Sequence, residues 1–73
     1  MWHYRTHKGV FYIVPRDGQY EVIFDDDRLG SYPTPEQAAD DLAGGHTYWP
    51  SAGFDPGELG ISDDLGDWTF ENI

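Results

Sequence analysis

The chain is predicted to be a small α+β domain: a three-stranded antiparallel meander, one short helix, and then an irregular, aromatic-rich C-terminal wrap. Three observations predict it. Two β-branched and aromatic runs, Gly9 to Pro15 and Tyr20 to Phe24, flank an Asp17-Gly18 pair, the dipeptide that supplies the positive φ of a tight hairpin turn. Thr34-Pro35-Glu36-Gln37 carries the start signals of a helix. Beyond it, Pro50, Gly53, Pro56, Gly57, Gly60 and Gly66 leave no room for a long regular element.

The first strand runs to Pro15, and Arg16-Asp17-Gly18-Gln19 turns the chain. In the second strand, alternation puts Tyr20, Val22 and Phe24 on one face and Glu21 and Ile23 on the other. Asp25-Asp26-Asp27 breaks the apolar pattern as a second turn, and Arg28 to Tyr32 reads as a short third strand. Residues before Gly9 are read as a mobile terminus.

Thr34 is placed to cap the helix, with Pro35 at the first helical position, where its missing N–H goes unnoticed. Gln37 completes a capping box, and Glu36 sits at the positive end of the helix dipole. Ala38 and Leu42 are four apart and face the sheet together, and Gly44-Gly45 suits a left-handed C-terminal cap. A helix this short does not survive alone in water, so it needs the sheet beneath it.

In the C-terminal part, Asp55 is read as the cap of one helical turn over Pro56-Gly57-Glu58-Leu59, and Ser62-Asp63-Asp64-Leu65 as another. Tyr48, Trp49, Phe54, Leu59, Ile61, Leu65, Trp68 and Phe70 recur every few residues. A disordered acidic tail would be poor in such side chains, which favours an ordered wrap over a tail that folds only on a partner.

At 73 residues the chain makes one domain, spanning residues 1–73. It has no cysteine, so disulfides and thiolate zinc sites cannot staple it. Three Trp, five Tyr and four Phe must supply the buried area instead. The longest apolar run, Val10 to Val14, is far short of the roughly 20 residues that cross a bilayer. No apolar segment follows the basic residues of the first turn of sequence, so a signal peptide is not expected. The expected location is cytoplasmic.

Net charge is −10 and unevenly placed. Residues 1–24 carry Arg5, Lys8 and Arg16 against Asp17 and Glu21, a net of +1, whereas residues 25–73 set twelve carboxylates against Arg28 alone, a net of −11. Such a field opposes direct binding to nucleic acid or anionic lipid. It favours a basic protein surface as partner, with salt-sensitive association. Its simplest alternative role is solubility.

The stretches Ala38-Ala39-Asp40-Asp41-Leu42-Ala43-Gly44-Gly45-His46-Thr47 and Leu59-Gly60-Ile61-Ser62-Asp63-Asp64-Leu65-Gly66-Asp67-Trp68 resemble a group of small bacterial proteins. The likeness covers most of the chain from Tyr12 onward. It implies a compact bacterial domain and carries no activity and no site.

Chemistry finds little footing. A calcium loop begun at Asp25 would place Asp27, Gly30 and Glu36 correctly, but its fifth position is Leu29, and Pro33 and Pro35 disturb the backbone course. His3, His7 and His46 show no convergent spacing, and His46 is read as a helix-terminal residue whose ring serves backbone carbonyls. Ser31, Ser51 and Ser62 lie in no nucleophile motif. Carboxylates in runs imply solvent rather than a tuned pocket, and little volume is expected for a ligand cavity. No enzyme, metal or cofactor is expected.

Two functions fit. One is an acidic module whose carboxylates face a basic protein, in its sharpest form an inhibitor standing in for nucleic acid in the groove of a nucleic-acid-handling, host-defence type of protein. Asp25, Asp26, Asp27, Asp40, Asp41, Asp63, Asp64 and Asp67 would take the place of phosphates, with Tyr12 and Trp49 as aromatic anchors. The other is a small accessory domain, monomer or homodimer, that binds through a sheet edge or an aromatic patch. In that case Tyr12 and Trp49 matter and the acids do not.

Overall fold

The structure, a computed structural model, describes residues 1–72. The sheet is larger than the sequence predicts. It has five antiparallel strands, β1 (Trp2–Thr6), β2 (Gly9–Arg16), β3 (Gln19–Phe24), β4 (Asp27–Tyr32) and β5 (Thr69–Phe70), in the spatial order β4-β3-β2-β1-β5. The first four form a meander, and the chain returns at its end to pair with its beginning.

The three-stranded reading therefore fails at both ends of the chain. Residues 2–6 are a strand because Trp2, Tyr4 and Thr6 alternate with His3 and Arg5, the period-two pattern of a half-buried strand. His and Arg on the alternate positions hide that pattern in a reading that weighs apolar runs. β5 is two residues long and is held by its register, Trp2 opposite Phe70 and His3 opposite Thr69. Met1 N donates to the Glu71 carbonyl oxygen (2.8 Å), Glu71 N donates to that of Met1 (2.7 Å), and His3 Nδ1 donates to Glu71 Oε2 (2.7 Å).

The expected hairpins are present. Asp17 (φ 52°) and Gly18 (φ 77°) both lie in the left-handed region, as a two-residue I′ turn demands. Asp25 and Asp26 form the loop between β3 and β4, with Asp25 at φ 53°. A bulge in β4 sets Ile23 opposite Arg28 but Val22 opposite Gly30. The extra residue, Leu29, turns into the core, where it is 1% exposed.

Helix α1 (Pro35–Ala43) begins as expected, with Thr34 Oγ1 accepting from Gln37 N at 3.2 Å. It ends in a Schellman motif. Gly45 N donates to the Leu42 carbonyl (3.1 Å) and His46 N to that of Asp41 (2.9 Å), with Gly45 at φ 75°. Gly44 itself is right-handed, so the left-handed cap falls on the second glycine of the pair.

Ala38, Ala39 and Leu42 of α1 are buried against the face formed by Phe11, Ile13, Val22, Phe24 and Leu29. The wrap finishes that core. Phe54 packs edge-on against Phe24 at a centroid distance of 5.3 Å, and Trp68 lies 5.4 Å from Tyr4. Asp55 caps a 3₁₀ turn at Pro56–Glu58, and Asp64 caps a second at Leu65–Asp67, which begins at the last residue of the Ser62 to Leu65 stretch expected to form it. In the structure the segment after α1 packs Phe54, Ile61 and Trp68 across the core and ends in β5. Tyr48, Trp49 and Phe70, expected to pack with the rest, are instead exposed. Among the described residues no helix is long and apolar enough to cross a membrane.

Two substitutions test this architecture by chemical denaturation. Leu42→Ala is expected to cost about 2–5 kcal/mol, a large part of the stability of so small a domain. Gly45→Ala is expected to destabilise by roughly 1–3 kcal/mol through its positive φ. The added Cβ also falls 2.6 Å from Asp55 Oδ1, so Gly44→Ala, at a right-handed residue, should cost clearly less.

Candidate protein-interaction surface

The Schellman turn throws residues 46–51 back alongside β4. There Tyr48 N donates to the Leu29 carbonyl oxygen (2.9 Å), and Asp27 Oδ2 accepts from Ser51 N and Oγ, each at 2.9 Å. Thr47 and Pro50 turn inward and are buried. Between them Tyr48 and Trp49 point away from the core, 79% and 55% exposed. Residues that alternate in this way give a sheet edge a covered backbone and an aromatic outer rim.

Acidic groups stand at both ends of that rim. At one end are Asp25 and Asp26, exposed in the β3–β4 turn, with Asp27 beside them. At the other end Asp40 of α1 and Asp63 of the wrap line an open depression of about 410 Å³. A second open depression, about 460 Å³, lies between Leu29 to Tyr32 and Thr47-Tyr48. His46 lines both.

The residues singled out by sequence thus divide. Asp25, Asp26, Asp27 and Trp49 lie along the β4 edge, while Asp40 and Asp63 share with His46 a depression beyond it. Asp41 lies inward of Asp40 and next to Tyr32. Asp64 and Asp67 serve the last turn: Asp64 Oδ1 accepts from Gly66 N (2.9 Å) and Asp67 Oδ2 from Ser62 Oγ (2.6 Å). Tyr12 sits on the opposite face of the sheet, opposite Ile23 and His3. Tyr48 and His46 were missed as rim residues. The signal for Tyr48 was an aromatic pair within a Gly- and Pro-rich loop, but sequence gives no measure of its exposure.

The His46 ring lines the depressions rather than serving the helix carbonyls, a role its backbone N–H takes. Among the described residues no three His, Asp or Glu side chains are placed to hold a metal ion. What the edge offers is acceptor oxygens flanking aromatic area, an arrangement that suits Lys and Arg, which pair with carboxylates and stack on Trp and Tyr.

No protein family, curated protein or solved structure matches the chain.

Tyr32 provides an internal probe of this edge. Burial, reinforced by the neighbouring Asp41 carboxylate, raises its hydroxyl from 10.0 to about 12. The neutral phenol is the form the fold favours, so its stabilising effect is whole below pH 10 and disappears as pH rises through about 12. An ultraviolet titration should show a phenolate signal near pH 12 that Tyr32→Phe removes and Asp41→Asn brings down toward 10.

Proposed function

We propose that this protein is a non-enzymatic binding module whose β4 edge docks on a basic protein surface. The observation that carries this reading is the exposure of Tyr48 and Trp49 between two acidic groups, Asp25–Asp27 and Asp40 with Asp63. Large aromatics at an interface supply most of the affinity when they enter a desolvated pocket. Flanking carboxylates steer a cationic partner and set its register. Both depressions are open and shallow enough to receive side chains, whereas an enclosed site with a sequestered acid is what catalysis would require.

In its narrower form the module competes with nucleic acid for a basic groove. Carboxylates on both sides of an aromatic segment would stand where phosphates flank stacked bases. The nucleic-acid mimic is the form in which a partner would release its DNA or RNA on binding. The accessory-domain reading is weakened at one point: the backbone edge it would use on β4 is already engaged by Tyr48 N at Leu29.

Affinity capture from the native host, followed by calorimetry with the captured protein, tests this. Trp49→Ala is expected to weaken binding by about 30-fold or more, the size of an interfacial hot spot. Paired Asp25→Asn and Asp26→Asn changes should weaken it less and flatten its salt dependence. Affinity indifferent to both Trp49 and salt would refute the proposal. Failure of duplex DNA or RNA to compete would refute only the mimic form.

A further inference from the structure

The strand register assigns every outward side chain of the sheet to one of two faces. The face opposite α1 and the wrap carries rows in which His3, Tyr12, Ile23 and Arg28 stand side by side, Arg5 beside Val10, and Val14 beside Glu21 and Ser31. Val10, Tyr12, Val14 and Ile23 are each half-buried there by their neighbours alone. No element packs over them among the described residues.

Charge on this face is opposite to that of the molecule. The chain has four Lys and Arg residues. Three of them, Arg5, Arg16 and Arg28, rim this face, while Lys8 lies over the Phe54 ring at 5.6 Å. Its two carboxylates are both engaged. Glu71 holds His3, and Glu21 lies between Arg16 Nε (3.5 Å) and Arg28 Nη1 (3.9 Å). The Glu21 side chain is only 12% exposed, and its buried Oε1 has no hydrogen-bond donor. Meanwhile the Arg16 and Arg28 side chains stay 48% and 64% exposed, and Arg5 has no ion-pair partner among the described residues. Guanidinium groups in a strongly acidic protein are expected to be drawn to its own carboxylates. Here Arg5 stands without one, and Arg16 and Arg28 share the single carboxylate of Glu21, so the three rim an apolar floor with guanidinium charge to spare.

We propose that this open face is a second docking surface, for an acidic segment of a partner protein whose apolar side chains cover Val10, Tyr12, Val14 and Ile23 and whose carboxylates meet Arg5, Arg16 and Arg28. The inference rests on the open face and not on the aromatic rim, although Arg28 belongs to the same strand as Asp27. A peptide segment fits better than nucleic acid on two counts. The floor is mostly branched aliphatic, which matches apolar side chains rather than stacked bases. The net charge of −10 repels a polyanion more than a segment with a few carboxylates.

The test is an NMR titration of the ¹⁵N-labelled protein with a short peptide alternating Glu and Val. Shifts are expected at Val10, Tyr12, Val14 and Ile23, with weaker binding at raised salt. Arg5→Glu is the informative variant because it breaks no internal ion pair and leaves the fold intact. It should weaken the peptide by about three- to tenfold, from lost attraction and added repulsion at an exposed site. Four results would overturn the proposal: no binding, shifts confined to residues 46–51, equal affinity for the peptide with Lys in place of Glu, or tighter binding of a single-stranded oligonucleotide at the same residues.

Discussion

One face of the sheet must be covered, and the α-helix that lies on it is only nine residues long. Phe11, Ile13, Val22, Phe24 and Leu29 form a continuous apolar surface that water must leave for the domain to fold. No disulfide assists. A short helix with two alanines and a leucine facing inward covers the middle, and its small side chains let it lie close to the strands. The remainder is left to single aromatic and aliphatic residues from an irregular segment, Phe54, Ile61 and Trp68 chief among them. Wherever that segment has to bend between such contacts, a glycine, a proline or an aspartate cap appears. The irregularity of the last third of the chain is the geometry of covering a twisted sheet with isolated side chains.

Much of this was legible in the residues, and the limits of legibility have physical causes. Asp17-Gly18 announced its hairpin because few residues accept positive φ at two successive positions. Thr34 and Pro35 announced the helix because its free N–H groups need an acceptor or a proline. β1 went unread because His3 and Arg5 occupy the open face of the sheet, where alternation with Trp2 and Tyr4 resembles a polar terminus. β5 has no local signature at all; two residues pair because Trp2 is already in place to receive Phe70. At the surface, sequence supplied the acids and the aromatic excess but could not distribute them. Tyr48 and Trp68 belong to one residue class by composition. Only the path of the loop along β4 exposes the first, and only the contact with Tyr4 buries the second.

The same path explains how charge comes to be separated in so small a body. Strands alternate, so side chains of β1 to β4 that are not in the core have no choice but the open face, and three of the four Lys and Arg residues lie in those strands. The acids lie mostly in turns, in the helix and in the wrap, and only Glu21 and Glu71 stand on that face, each paired there. A protein with a net charge of −10 therefore presents one side on which Arg is the dominant charge. Net charge governs its solubility and long-range encounter, while the local arrangement governs what it can hold.

The clasp between Met1 to His3 and Thr69 to Glu71 joins residues 70 apart in the chain. Closing a loop of that length costs about 4 kcal/mol of chain entropy, against a return of two residue pairs in the strand register and a hydrogen bond between His3 and Glu71. Contacts of this kind form late, after the hairpins and helix have already shortened the effective loop. They are also the first to be given up in a partial opening, because the meander from β2 to β4 keeps its own turns and most of the core without them. Slow amide exchange would accordingly centre on Phe11, Ile13 and Val22, and the outermost pair of strands would behave as a hinged margin.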